Sequence, residues 1–174
     1  MKYITPKIIM KAISLWQPWA SAMAVGSKTI ETRHWPTNVR GSVAIHAAKR
    51  LIKNELIYFG SCWSWVGALQ PLGAKFGNDW HICDELPFGA IVAVGELIDC
   101  CPTDRITLGE IEVLRFQEED KGRLYGWTEK MMGNYELGRY AWTFKNIRPL
   151  AEPIPYKGGQ GFFNVPDELL EGKY

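Results

Sequence analysis

Only four cysteines occur in 174 residues, Cys62, Cys83, Cys100 and Cys101, and no two are spaced as CxxC. Adjacent cysteines such as Cys100 and Cys101 make poor metal-ligand spacing. A zinc site from Cys62, Cys83 and a histidine such as His81 is therefore disfavoured, and no metal or other cofactor is expected. No apolar run approaches the ~18–20 residues of a membrane span, so no membrane partner is expected. The first ten residues hold Lys2, Pro6 and Lys7 and no apolar stretch, so no secretory signal is expected. Reduced thiols in a cytoplasmic protein follow from that reading. Internal repeats and low-complexity tracts are missing as well. What remains is ordinary globular composition, 47% hydrophobic and 22% charged, which excludes disorder and collagen-like structure. The length fits one domain spanning 1–174, with an insertion at about 60–87.

The net charge of +1 hides an asymmetry. Residues 1–60 carry nine Lys/Arg against two acids, Glu31 and Glu55, a net +7; the remainder carries eleven against seventeen. A basic first third can face a polyanion, or it can neutralise the acidic remainder inside the fold. Tryptophan is plentiful, at eight residues. Such rings fill a core or stack on bases, so their positions matter more than their number.

Along the chain, Lys11–Leu15 reads as a strand that stops at Pro18. Residues 19–25 read as a helix, with Pro18 in its first turn and Gly26 just past its end. Residues 29–33, 41–47, 90–99 and 140–147 are alternating or β-branched runs bounded by turn signals, and read as strands. Gly95 marks a bulge in the third of these. Lys49–Phe59 and Thr107–Phe116 read as helices, and Glu118–Gly126 as a charged loop. Pro149, Pro153, Pro155 and Gly158-Gly159 make a turn-rich segment. Phe162–Val165 is a short last strand, followed by a terminal helix from Pro166. Strands mixed with helices in no βαβα rhythm argue α+β around a small barrel or curved sheet.

The densest polar cluster is Gly26-Ser27-Lys28-Thr29-Ile30-Glu31-Thr32-Arg33. Strand alternation puts Glu31 and Arg33 on one face. A turn at Gly26–Ser27 lets Lys28 reach the same space. A cation, a base and a five-donor fork can hold a phosphate or a nucleobase edge, or activate water. They can equally form a salt-bridge ladder.

That run, together with Ser14-Leu15-Trp16-Gln17-Pro18-Trp19-Ala20, Ala44-Ile45-His46-Ala47-Ala48-Lys49, Gly89–Glu96 and Gly138-Arg139-Tyr140-Ala141-Trp142, resembles the ASCH domain family. The resemblance continues into Pro153–Gly159 and implies a PUA-like mixed β-barrel with peripheral helices. GxKxxExR is the family's signature. The resemblance implies RNA-related roles, with RNA bound in a cleft around the signature. It also implies an alternative, hydrolysis: some small bacterial members resemble amidohydrolases that remove the acetyl group of N4-acetylcytidine, and another member is described as a ribonuclease. In the amidohydrolase branch a Lys matching Lys28 works beside a Thr, whose position Glu31 occupies here.

The leading expectation is therefore RNA, or a nucleoside or nucleotide, in a polar cleft. Lys28, Glu31 and Arg33 converge there, with Gln17 and Tyr140 at its walls. Arg33 grips phosphate or a carbonyl, Glu31 accepts from an exocyclic amine, and Lys28 supplies charge. In the hydrolase alternative Lys28, Glu31 and Tyr140 are catalytic. A protein-interaction module is the third class. Further candidate ligand residues are Trp19, His46, Lys49 and Arg139. Five of the candidates have a plainer reading: Gln17 a cap, Trp19 and Tyr140 core rings, His46 a hydrogen-bonded core residue, Lys49 a solvated face. A solvent-reachable Lys28 implies that Lys28→Ala leaves stability nearly unchanged. The oligomeric state is not legible.

Overall fold

A computed structural model describes residues 9–50, 69, 86–106 and 129–174. Six strands build one sheet: β1 (Ile9–Leu15), β2 (Ile30–Arg33), β3 (Gly41–Ala47), β4 (Ala90–Pro102), β5 (Tyr140–Pro155) and β6 (Phe162–Pro166). Helix α1 (Trp19–Ala24) lies between β1 and β2 in the chain. The sheet order is β2-β5-β4-β3-β1-β6. β1 runs parallel to β3, and every other neighbouring pair is antiparallel.

Burial on both faces explains the most apolar strands. β3 is buried from Val43 to Ala47, and β4 from Ala90 to Gly95. Side-chain alternation divides the core in two. Ile13, Leu15, Val43 and Ile45 join Ala20, Met23, Trp142 and Phe144 on the α1 side. Met10, Ala12 and Ala44 join Ile91, Val94, Val165 and Leu170 on the other.

The strands expected at 29–33, 41–47, 90–99 and 140–147 all lie in this sheet, and β3 has the expected bounds. Gly95 is skipped where the β4–β5 register shifts between Val94 and Glu96, as a bulge requires. A Cβ there would stand 3.1 Å from Ile147 and 3.3 Å from Phe144. Gly26 follows α1 with φ +79°, and its N–H donates to the Met23 carbonyl.

Three expectations change. The described strands do not close into a barrel, because β2 and β6 end the sheet unpaired with each other. The terminal helix is a single 3-10 turn, Asp167–Leu169. The turn-rich segment around Pro149 and Pro153 is the second half of β5. The expected helices at 49–59 and 107–116, the loop at 118–126 and most of the 60–87 insertion lie outside the described residues. Among the described residues no helix is long and apolar enough to cross a membrane.

Candidate functional site

The β1–α1 junction is built by Gln17. Its Oε1 accepts from the Ser21 N–H at 3.1 Å, in the first turn of α1. Its Nε2 donates to Ser21 Oγ at 2.8 Å and to the Pro87 carbonyl at 2.7 Å. This capping leaves the buried amide fully used, so Gln17 shapes the site from behind instead of walling it. Trp16, on the same turn, points outward at 46% exposure, with the Arg50 guanidinium 5.1 Å from its ring centre.

From Gly26 the chain passes directly into the polar run. The Lys28 N–H donates to the Ala22 carbonyl at 3.1 Å, so Lys28 starts against the end of α1. Its side chain is 0% exposed. Nζ donates to the carbonyls of Ile30 and Met132. Glu31 Oε2 and Glu129 Oε1 each lie 3.6 Å away. The solvent-reachable Lys28 expected from the sequence is thus corrected: the ammonium is sealed between two carboxylates and two carbonyls. Alternation on β2 does put Glu31 and Arg33 together, with Arg33 Nε 2.9 Å from Glu31 Oε1. That contact is an ion pair without hydrogen-bond alignment. Arg33 also donates to the Ser14 carbonyl at 2.8 Å and lies 5.3 Å from the Trp35 ring centre.

Glu129 was missed by sequence reasoning. It is buried in a helical turn at residues 129–132 and accepts from Thr29 N–H at 2.6 Å, Thr29 Oγ1 at 2.9 Å and Ile30 N–H at 3.0 Å. Its sequence signal was slight: an acid two residues before the apolar pair Met131-Met132. Tyr135 donates to the Glu129 carbonyl at 3.4 Å. Burial, then the negative charges of Glu129 and Glu31, push the Tyr135 hydroxyl well above its ordinary range, so it stays a donor. Asn134 N–H donates to Thr32 Oγ1 at 3.0 Å. The 129–134 segment is therefore fastened along Lys28–Thr32 by polar bonds.

Between this segment and the β1–α1 junction lies a cleft of about 470 Å³. Trp16, Trp19 and Trp35 supply aromatic wall, Glu31, Arg33 and Arg139 supply charge, and residues 131–134 form one side. A volume of this size suits one small-molecule unit. Of the expected residues, Trp19, Glu31, Arg33 and Arg139 meet at the cleft, whereas Gln17, Lys28, His46, Lys49 and Tyr140 do not line it. Tyr140 packs, partly buried, on the α1-side core. Lys49 is exposed, with its stem under Gly89.

His46 is buried. Its Nε2 lies 3.0 Å from the Tyr156 carbonyl, and its Nδ1 3.0 Å from Ser14 Oγ. A carbonyl only accepts, so Nε2 carries the proton and Nδ1 accepts from the serine. Burial lowers its pKa and so favours this neutral form, outweighing the Tyr156 hydrogen bond, which raises it. Gly158 seals the pair: a Cβ there would lie 2.5 Å from His46 Cε1 and 2.8 Å from Ser14 Oγ. Gly158→Ala is expected to cost about 1–3 kcal/mol, the usual range for overpacking. A thermal denaturation curve unchanged from the parent would contradict that.

Among the described residues, no three or more His, Cys, Asp or Glu are grouped to hold a metal ion. The model of the ASCH domain matches residues 13–149. The chain is similar in fold to the crystal structure of ASCH from Zymomonas mobilis, with 15% identity and a TM-score of 0.51 over 95% of this chain and 96% of that one. A single-substitution variant of the same Zymomonas mobilis protein matches at 14% identity and a TM-score of 0.51, over 95% and 96% of the two chains. These two structures bear on the fold alone. The match over residues 13–149 covers well over half of the sequence, and on that ground the chain belongs to the ASCH domain family.

Proposed function

We propose that the cleft binds a base of single-stranded RNA or a modified nucleobase. The observation that supports this most is the composition of its wall: three indoles beside a carboxylate and two guanidinium groups. Base–aromatic stacking contributes about 1–3 kcal/mol per base and needs an accessible ring, which Trp16 offers. Glu31 accepts from an exocyclic amine, and Arg33 donates to a base carbonyl. Lys28, unable to reach the ligand, holds Glu31 in position. RNA binding is a common role in the family, which is in keeping with this reading.

The test is quenching of intrinsic tryptophan fluorescence by short single-stranded RNA. Affinity should fall with salt, with a log–log slope of about −0.7 per phosphate contacted. Trp16→Ala should weaken binding roughly 5- to 150-fold, the equivalent of one lost stack. Absence of binding at low salt removes RNA from consideration and favours a protein-interaction module. Release of acetate from N4-acetylcytidine, lost in Glu31→Gln, would assign the cleft to hydrolysis instead, since Glu31 is the carboxylate that reaches its wall.

A further inference from the structure

We propose that Arg139 is the phosphate contact of the cleft, so that its ligand is a phosphorylated nucleotide unit and not a free nucleoside. This deepens the nucleobase reading and rests on it. The argument starts from a charge inventory. Lys28 faces Glu31 and Glu129, and Arg33 faces Glu31. On the cleft wall itself Arg33 is paired with Glu31, which leaves Arg139 as the wall's unbalanced cation. Among the described residues Arg139 has no carboxylate within salt-bridge distance. Its guanidinium makes one hydrogen bond, from NH2 to the Thr32 carbonyl at 3.2 Å, and its Nε is buried without a partner.

A guanidinium has five N–H donors. One of them, the buried Nε–H, lacks an acceptor, at a cost in free energy that a ligand oxygen reaching it would remove. The unbalanced charge of Arg139 is the complement of one phosphodiester. A planar fork matches phosphate oxygens in a way that an ammonium does not.

The backbone fixes where this fork stands. Gly138 turns the chain at φ +83°, and the Arg139 carbonyl accepts from Thr103 N–H at 3.0 Å and Thr103 Oγ1 at 3.2 Å. The Thr32 carbonyl then holds one corner of the guanidinium beside Glu31 and Arg33 on β2. Arg139 therefore stands at the same cleft as the three indoles, with its remaining donors available to an anion next to a stacked base.

The experiment titrates the intact chain with the four common nucleosides and with their 3′- and 5′-monophosphates, reading tryptophan fluorescence. At least one monophosphate should bind tenfold or more tightly than its own nucleoside. In Arg139→Ala that ratio should fall to about one. Arg139→Lys should recover only part of it. Arg139→Gln, which keeps an uncharged polar side chain at this position, is the second variant should alanine impair folding, and it too should lose the ratio. Equal affinities for nucleosides and monophosphates in the parent chain overturn the phosphate contact alone. A preference for monophosphates that survives in Arg139→Ala and Arg139→Gln overturns its assignment to Arg139. If neither class binds, the nucleobase reading itself fails, and this proposal with it.

Discussion

Lys28→Ala will destabilise the fold by about 3–5 kcal/mol, the cost of removing one partner from a buried ion pair. For a chain of this length that is a fall in melting temperature on the order of 10 °C. The reason is that the ammonium lies fully buried between Glu31 and Glu129, at 3.6 Å from each, while its hydrogen bonds reach the Ile30 and Met132 carbonyls. Truncation leaves two carboxylates facing each other across a cavity and two carbonyls without their donor. Arg33 still neutralises Glu31, so most of the damage falls on Glu129. Lys28→Met fills the space but not the charge, and should be nearly as costly. Thermal and urea denaturation of both variants will measure this. A loss below about 1 kcal/mol would show that solvent reaches the ammonium and that the cluster is looser than described.

The same residue shows what a single sequence can and cannot disclose. Spacing places Glu31 and Arg33 on one face of β2, and they do lie together. Spacing does not reveal whether Lys28 meets water or a second acid. That second acid is Glu129, a hundred residues further along the chain, and no local pattern announces such a partner. Part of the basic excess in the first third is consumed in the same way, by Glu129 from the acidic remainder. Gln17 was ambiguous for a related reason: an amide before a helix can read a base edge or cap the helix, and only the position of Ser21 and Pro87 decides.

The strands tell a parallel story. β3 was legible because it is apolar, β-branched in part and closed by turns at both ends. β5 was legible only over its first half, since Pro149, Pro153 and Pro155 read as breakers. Their tolerance follows from sheet position. β2 covers β5 only from Tyr140 to Thr143. Among the described residues, β5 beyond that point pairs in the sheet with β4 alone, in a register interrupted three times. A proline whose nitrogen faces away from β4 removes no donor from that ladder. Barrel closure was expected from family resemblance, and edge pairing between β2 and β6 is a property that side-chain alternation does not encode.

Glu129→Ala will loosen one wall of the cleft and destabilise the chain by about 3–5 kcal/mol. The carboxylate accepts three hydrogen bonds, from Thr29 N–H, Thr29 Oγ1 and Ile30 N–H, and it is the second counter-charge of Lys28. Without it, two backbone N–H groups at the start of β2 lose their acceptor, at roughly 1–3 kcal/mol for each left unsatisfied. Glu129→Gln retains an acceptor but no charge, and should lose about half as much. Residues 131–134, which line the cleft, depend on the same anchor. The Asn134 N–H, bonded to Thr32 Oγ1, should therefore exchange with solvent faster in Glu129→Ala than in the parent. A double-mutant cycle with Lys28→Met separates the two contributions. Groups this close should show a coupling of about 0.5–3 kcal/mol. Strict additivity would mean that Glu129 holds the backbone of Thr29 and Ile30 independently of Lys28. Unchanged stability together with unchanged exchange at Asn134 would mean that the wall is held by Met132 packing alone, and that the buried charges do not position it.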